Sequence, residues 1–222
     1  DPTLPVQLHR QALKGLARLN RVSGIARVLF GELRQVARAV PDRPLRVLDV
    51  ACGGADVLIA CARRAAREGL RFQFTGCDRS PTALEAASEA ARRHGCSDCR
   101  FYGHDILAEE LPESYDVVMN TLFLHHLDEE EVVTAVSHMA AAARRRLLID
   151  DLLRSRFGYW LAQLACRTLT RSPVVHFDGP VSVQAAFSEA ELATLLPQAV
   201  PWNWQFRRHW PERILCVGRP QP

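Results

Sequence analysis

Between residues 7 and 40, apolar side chains return at helical spacing: Leu8, Leu13, Leu16 and Leu19, then Val22, Ile25, Val28, Leu29, Leu33 and Val36. The run is interrupted at Ser23-Gly24, so the pattern predicts two helices. Pro41 and Pro44 end the segment. The period then changes. A strand at 45–50 is followed by a helix at about 55–68, and a strand at 71–77 runs into Asp78. Ser80 caps a helix that reaches about 94, with Pro81 in its first turn. A short strand at 99–103 leads to His104-Asp105, and YDVVMN at 115–120 reads as a fully buried strand. Asp128 and Glu131 are spaced as a capping box for a helix at 129–143. The next strand, 146–149, ends at Asp150-Asp151.

Beyond Asp151 the alternation stops. Residues 152–170 read as one long apolar-rich helix with Phe157, Tyr159, Trp160, Leu161, Leu164 and Leu169. The segment 171–187 reads as a loop. Ser188 and Glu191 then cap a helix through Leu196, and two strand-like pieces flank Pro211, as an antiparallel hairpin at a sheet edge would. Strands alternating with helices imply an α/β fold: a mostly parallel sheet with helices on both faces.

Such sheets bind ligands beyond the carboxyl ends of their strands. Polar residues stand at those ends: Asp49, Asp78, Asp105, Asn120 and Asp150. The turn after the first strand, Ala51-Cys52-Gly53-Gly54, is short-chained enough to let backbone approach a ligand. It lacks the third glycine of a dinucleotide fingerprint, and no GK[ST] follows to make a phosphate loop. A nucleoside ligand with an ammonium group fits better. One carboxylate would take the ammonium, a second the ribose and a third an adenine amino group.

Composition narrows the class. The chain has 222 residues, enough for one α/β domain with a full core. It is 48% hydrophobic and 24% charged, as soluble globules are. The net charge of +3 does not by itself argue for nucleic acid. Basic residues do gather near the N-terminus, from Arg10 to Arg38, most of them where the solvated face of a helix would fall. The seven cysteines are scattered through apolar segments, and the one CxxC, Cys96 to Cys99, has no second pair at zinc spacing. Reduced thiols, no spanning segment and no visible signal peptide lead to the expectation of a cytoplasmic protein.

The segments VLDVACGGAD, GCDRS, GHDIL, YDVVMNTLFLHHL and LLIDDLL occur in the order and spacing of a known family. Together, over roughly Leu45 to Asp150, they resemble the motifs of class I S-adenosylmethionine-dependent methyltransferases of the small-molecule branch. The family's first motif usually reads (D/E)xGxGxG; here Ala51 and Ala55 stand where glycine is common. The resemblance implies a Rossmann-like, seven-stranded, mostly parallel sheet in a single domain. A helical lid at 1–44 and a lid insertion at 152–187 would flank a cofactor core at 45–151, with a helix and hairpin at 188–222. It also implies cofactor contacts. Asp49 and the backbone of Ala51, Cys52, Gly53 and Gly54 would hold the methionine end. Asp78, with Arg79 beside it, would hold the ribose, Asp105 and Ile106 the adenine, and Asn120 would line the fourth strand's end.

The implied chemistry is in-line transfer of a sulfonium methyl, in which alignment matters most and a hydroxyl acceptor gains from a general base. His126 is the first candidate base and His125 the second; a histidine in such a place can equally cap a turn or pack in a wall. His176, Tyr159 and Trp160 are candidates for acceptor contact. Asp150-Asp151 raises a Mg²⁺ alternative, but no third ligand can be named, so no metal is expected. The implied function is methylation of a small aromatic or polyketide-like acceptor, at oxygen, of the kind met in secondary metabolism. C-methylation of a quinone-like or polyketide compound stays open, as do a non-catalytic binder of the adenosyl ligand and, with least support, RNA methylation. The expected partners are a small-molecule acceptor without nucleic acid, on a monomer or homodimer.

Overall fold

The computed structural model describes residues 5–221. Seven strands form one sheet: β1 (Leu45–Val50), β2 (Phe72–Asp78), β3 (Arg100–Gly103), β4 (Tyr115–Thr121), β5 (Ala143–Leu152), β6 (Asn203–His209) and β7 (Arg213–Arg219). Their order is β3-β2-β1-β4-β5-β7-β6. The first five are parallel, and β7 enters antiparallel between β5 and β6. The expected C-terminal hairpin is therefore present, with β6 as its outer strand.

Helices α1 (Val6–Ser23) and α2 (Ile25–Arg38) meet at Gly24, whose φ of 71° breaks the helical path where the sequence pattern faltered. Helices α3 (Asp56–Arg67), α4 (Pro81–Arg93) and α5 (Glu129–Ala142) each come after a strand as expected, and α8 (Glu189–Ala199) precedes the C-terminal hairpin. Ser80 accepts the amide of Ala83, and full capping boxes close the starts of α5 and α8.

The period-2 geometry of the strands separates two cores. Val47 and Met119 face one side with Ile25, Leu29 and Leu33 of α2 and Leu58 of α3. Leu48 and Val118 face the other with Val136 and Met139 of α5 and Leu196 of α8. Each such fully buried side chain contributes about 1.5–3 kcal/mol.

The lid departs from expectation in two elements: α2, expected within the helical lid at 1–44, instead packs on the sheet with α3 because its Ile25, Leu29 and Leu33 stripe is buried there, and the insertion holds a second helix. Helix α6 (Arg156–Leu169) stands where a helix was expected, but Pro173–Ala185, read above as loop, folds as helix α7. Ser172 caps it by accepting the amide of Val175, and Pro173 occupies its first turn, where a missing N–H is harmless. Gly179, which reads as a breaker, is where α6 comes closest: a Cβ there would lie 2.3 Å from the Cys166 sulfur. Tertiary packing overrides the weak propensity. Helix α1 lies across this lid through a small cluster of Ala12, Cys166 and Val175.

Candidate functional site

Every residue assigned to cofactor contact from the sequence lies at or just past the carboxyl ends of β1, β2, β3 and β4. The turn after β1 alternates left-handed residues: Ala51 at φ 53°, Gly53 at φ 53° and Ala55 at φ 54°. These are the places where the motif favours glycine, and two of them carry a Cβ that makes this conformation strained. The turn holds because it is tied on several sides. The Cys52 amide donates to the Cys77 carbonyl at 3.0 Å, and that of Ala55 to the Cys52 carbonyl at 2.8 Å. The Asp78 carboxylate accepts from the Gly53 amide at 2.9 Å and the Ser80 amide at 2.8 Å. Leu13 of α1 lies over the turn, 3.6 Å from where a Gly53 Cβ would be.

Two buried oxygens beside this turn lack partners. Asp49 is 2% exposed and its Oδ1 accepts nothing. Asn120, opposite Val50 in the next strand, donates to the Val50 carbonyl at 2.7 Å, and its Oδ1 is also unpaired. Buried acceptors without donors are rare, and N–H groups of a ligand or an ordered water would satisfy these two. Burial, and then the charges of Asp56 and Asp78, raise the Asp49 carboxyl well above its ordinary range. A cation at this place would reverse that. Further along the edge, Asp105 accepts the Leu107 amide at 3.1 Å and Ile106 is buried, while Arg79 is exposed.

The other half of the site begins past β4. Leu122 takes a positive φ of 55° and turns the chain into a short 3₁₀ helix, Leu124–His126. Nδ1 of His125 lies 2.6 Å from Oδ1 of Asp151, and both residues are buried. A carboxylate can only accept, so Nδ1 carries the proton and Nε2 is left as the basic nitrogen. Asp151 also accepts from the amides of Phe123 and Leu152, at 3.1 and 2.7 Å. Burial pulls its carboxyl upward, but the charge and hydrogen bond of His125 outweigh that and hold it below the ordinary range.

His126 has no such partner. It is an exposed residue whose ring lies against His125, 4.1 Å between centroids, and partial desolvation, then the neighbouring imidazole, lower its pKa to about 4. Of the two candidate bases, the carboxylate orients the second rather than the first.

Both histidines line a cavity of about 310 Å³ walled by α1, α6 and α7, with Leu19, Leu161, Ala165 and Val174 on its apolar sides. The three residues expected to touch the acceptor do not line it. Tyr159 accepts a hydrogen bond from Gln163, Trp160 is 71% exposed on the outer face of α6, and His176 reaches the Thr170 carbonyl at 3.0 Å. Helical rotation is the reason. The turn that points Leu161 and Ala165 inward points Trp160 outward.

Asp150 and Asp151 serve different partners. Asp150 is fully buried between Arg213, whose Nε donates at 2.6 Å, and His209 at 2.5 Å. Arg213 continues to Asn20 of α1, at 3.4 Å, and Asn20 donates to Asp56 at 3.2 Å. Asn20 and Arg213 were missed from sequence. Their only signal is polarity inside apolar segments, and the partners are 193 positions apart.

Residues 47–146 match the family described as methyltransferase domain. No curated protein matches the chain. Among solved structures, human N-acetylserotonin methyltransferase in complex with SAM is similar at 15% identity and a TM-score of 0.67, over 96% of this chain and 56% of that one. The S-adenosylmethionine-dependent methyltransferase SibL, in its apo form, is 24% identical with a TM-score of 0.64, over 91% and 56%. An O-methyltransferase family 2 protein from Planctomyces limnophilus, in complex with apigenin, is 17% identical with a TM-score of 0.61, over 93% and 66%. The chain thus spans little more than half the length of the first two.

Proposed function

We propose that this chain, whose residues 47–146 match a methyltransferase domain and whose sheet has the Rossmann-like order given above, moves a methyl group from S-adenosylmethionine to an oxygen of a small, apolar, aromatic or polyketide-like acceptor. The residues present suit the cofactor. Asp49 and Asn120 offer unpaired buried oxygens to an ammonium group, Gly53 and Gly54 offer bare backbone, and Asp78 stands where ribose hydroxyls would come. When bound, S-adenosylmethionine supplies an activated methyl on a sulfonium. The protein's part is then to align an acceptor and accept its proton.

The observation that carries the reading is the His125–Asp151 pair on the wall of an apolar cavity. Asp151 fixes the imidazole tautomer so that Nε2 can take a hydroxyl proton, and stabilises the imidazolium that forms. The apolar walls exclude water and select a greasy acceptor.

Calorimetric titration with S-adenosylmethionine and S-adenosylhomocysteine, with NAD as control, tests the cofactor. Micromolar binding of the adenosyl ligands alone is the expected result; NAD binding, or none, overturns it. A panel of phenols and polyketide-like hydroxy compounds, with the product's methyl position read by NMR, then tests oxygen against carbon as the acceptor atom.

A further inference from the structure

Around the cavity the lid is unlike the rest of the surface. On α6, Phe157, Trp160 and Leu164 fall on one helical stripe and are 60%, 71% and 63% exposed. On α7, Phe177 and Val181 are exposed likewise. Leu16, Val22 and Trp210, which line the cavity's rim, are exposed as well. Exposed apolar groups gathered on three packed helices exceed what scattered surface residues explain.

The charge of these elements is biased as well. Helix α1 contains Arg10, Lys14, Arg18 and Arg21 and no acidic residue; these line the groove toward α3 and α4, where Arg10 pairs with Glu85 and Glu89, while Leu16, Leu19 and Val22 line the apolar cavity. Between Arg156 and Ala185 the basic residues Arg156, Arg167 and Arg171 face one acid, Asp178. Among the described residues, Lys14, Arg18, Arg21, Arg156, Arg167 and Arg171 have no carboxylate within ion-pairing distance. The whole chain is nearly balanced, at +3, so its excess of positive charge is concentrated on the lid. Exposed aromatic and aliphatic side chains beside unpaired arginines are what an interfacial helix presents to an anionic lipid surface. No helix among the described residues is long and apolar enough to cross a membrane, so this is lying on a surface rather than spanning.

We propose that the α1–α6–α7 lid docks on the surface of an anionic bilayer, with the α6 stripe entering the headgroup boundary. Such docking places the mouth of the apolar cavity beside the lipid phase, from which a lipophilic acceptor can enter. The docking itself stands independently of the methyl-transfer reading, and cofactor titration and vesicle binding fail separately.

The test is flotation of the full chain with phosphatidylglycerol vesicles and with phosphatidylcholine vesicles. Binding to the former, weakened by added salt, is the expected result. Combined substitution F157S, W160S and L164S should abolish it while leaving cofactor affinity unchanged. Combined R156Q, R167Q and R171Q should weaken partitioning on the order of a hundredfold. The proposal is overturned if the wild type does not float, if it binds phosphatidylcholine equally well, or if the apolar triple variant still binds. It is also overturned if the stripe instead mediates self-association: a dimer by sedimentation that the triple variant abolishes, with no vesicle binding.

Discussion

His125 and Asp151 come together at 2.6 Å from different strand ends, one past β4 and the other at the end of β5, and both are closed off from solvent. Asp151 is held by three backbone amides besides, those of Phe123, His125 and Leu152, so it is a fixed anchor for the ring. If this pair handles the acceptor's proton, Asp151→Asn should lower kcat about 10²–10⁴-fold while cofactor affinity holds. His125→Ala should do the same, and His126→Ala should change kcat little. Single-turnover assays with titration calorimetry on each variant check this. Equal loss at both histidines would mean that they act as a unit.

Asp49 lies buried without a full set of partners, and its raised carboxyl makes the ligand-free fold less stable at neutral pH than an uncharged residue would. The folded state holds this proton more tightly than the unfolded chain does. Stability therefore falls as pH climbs from the ordinary carboxyl range toward the folded value. Asp49→Asn should remove that slope and raise stability by ~1 kcal/mol for each unit of lift removed. It should also lose cofactor binding. Thermal melts across pH, with and without S-adenosylmethionine, separate the two effects.

The same carboxyl predicts a proton signature on binding. An ammonium placed at Asp49 favours the ionised form, so cofactor binding should release protons and tighten as pH rises. Calorimetry in buffers of different ionisation enthalpy reads this directly. An enthalpy independent of buffer would place the ammonium elsewhere.

Ala51 and Ala55 share the left-handed conformation and differ in burial. Left-handed alanine costs about 1–2 kcal/mol, part of which glycine returns through unfolded-chain entropy. Ala51→Gly should therefore stabilise by roughly 0.5–1 kcal/mol, a few degrees in Tm. Ala55 is fully buried in the core, so glycine there also loses about 0.8 kcal/mol of methyl burial, and the change should be near neutral. Denaturant melts of the two variants give the comparison.

Gly179 sets how closely α7 approaches α6. Gly179→Ala would drive a methyl against the Cys166 sulfur and force the helices apart, destabilising by about 1–3 kcal/mol. Cys166 lines the cavity, so KM for an acceptor should move while cofactor affinity does not. Paired melts and steady-state assays test it.

Alternating apolar segments, capping residues at Ser80, Asp128 and Ser188, and acidic residues at strand ends were enough to read the parallel sheet and its ligand-binding edge from sequence. These are local signals, written within a few residues of where they act. Which histidine receives a carboxylate was not local: His125 and Asp151 are 26 positions apart, and adjacent histidines look alike until the turn at Leu122 aims one of them inward. Helix α7 was hidden because Gly179 and Pro180 argue against a helix, and only packing on α6 reveals why the glycine is there. Tyr159 and Trp160 carried the right composition for a pocket and the wrong rotation for this one. Periodicity determines that a helix has two faces; only the tertiary structure decided which face closes the cavity, because that depends on what packs against it.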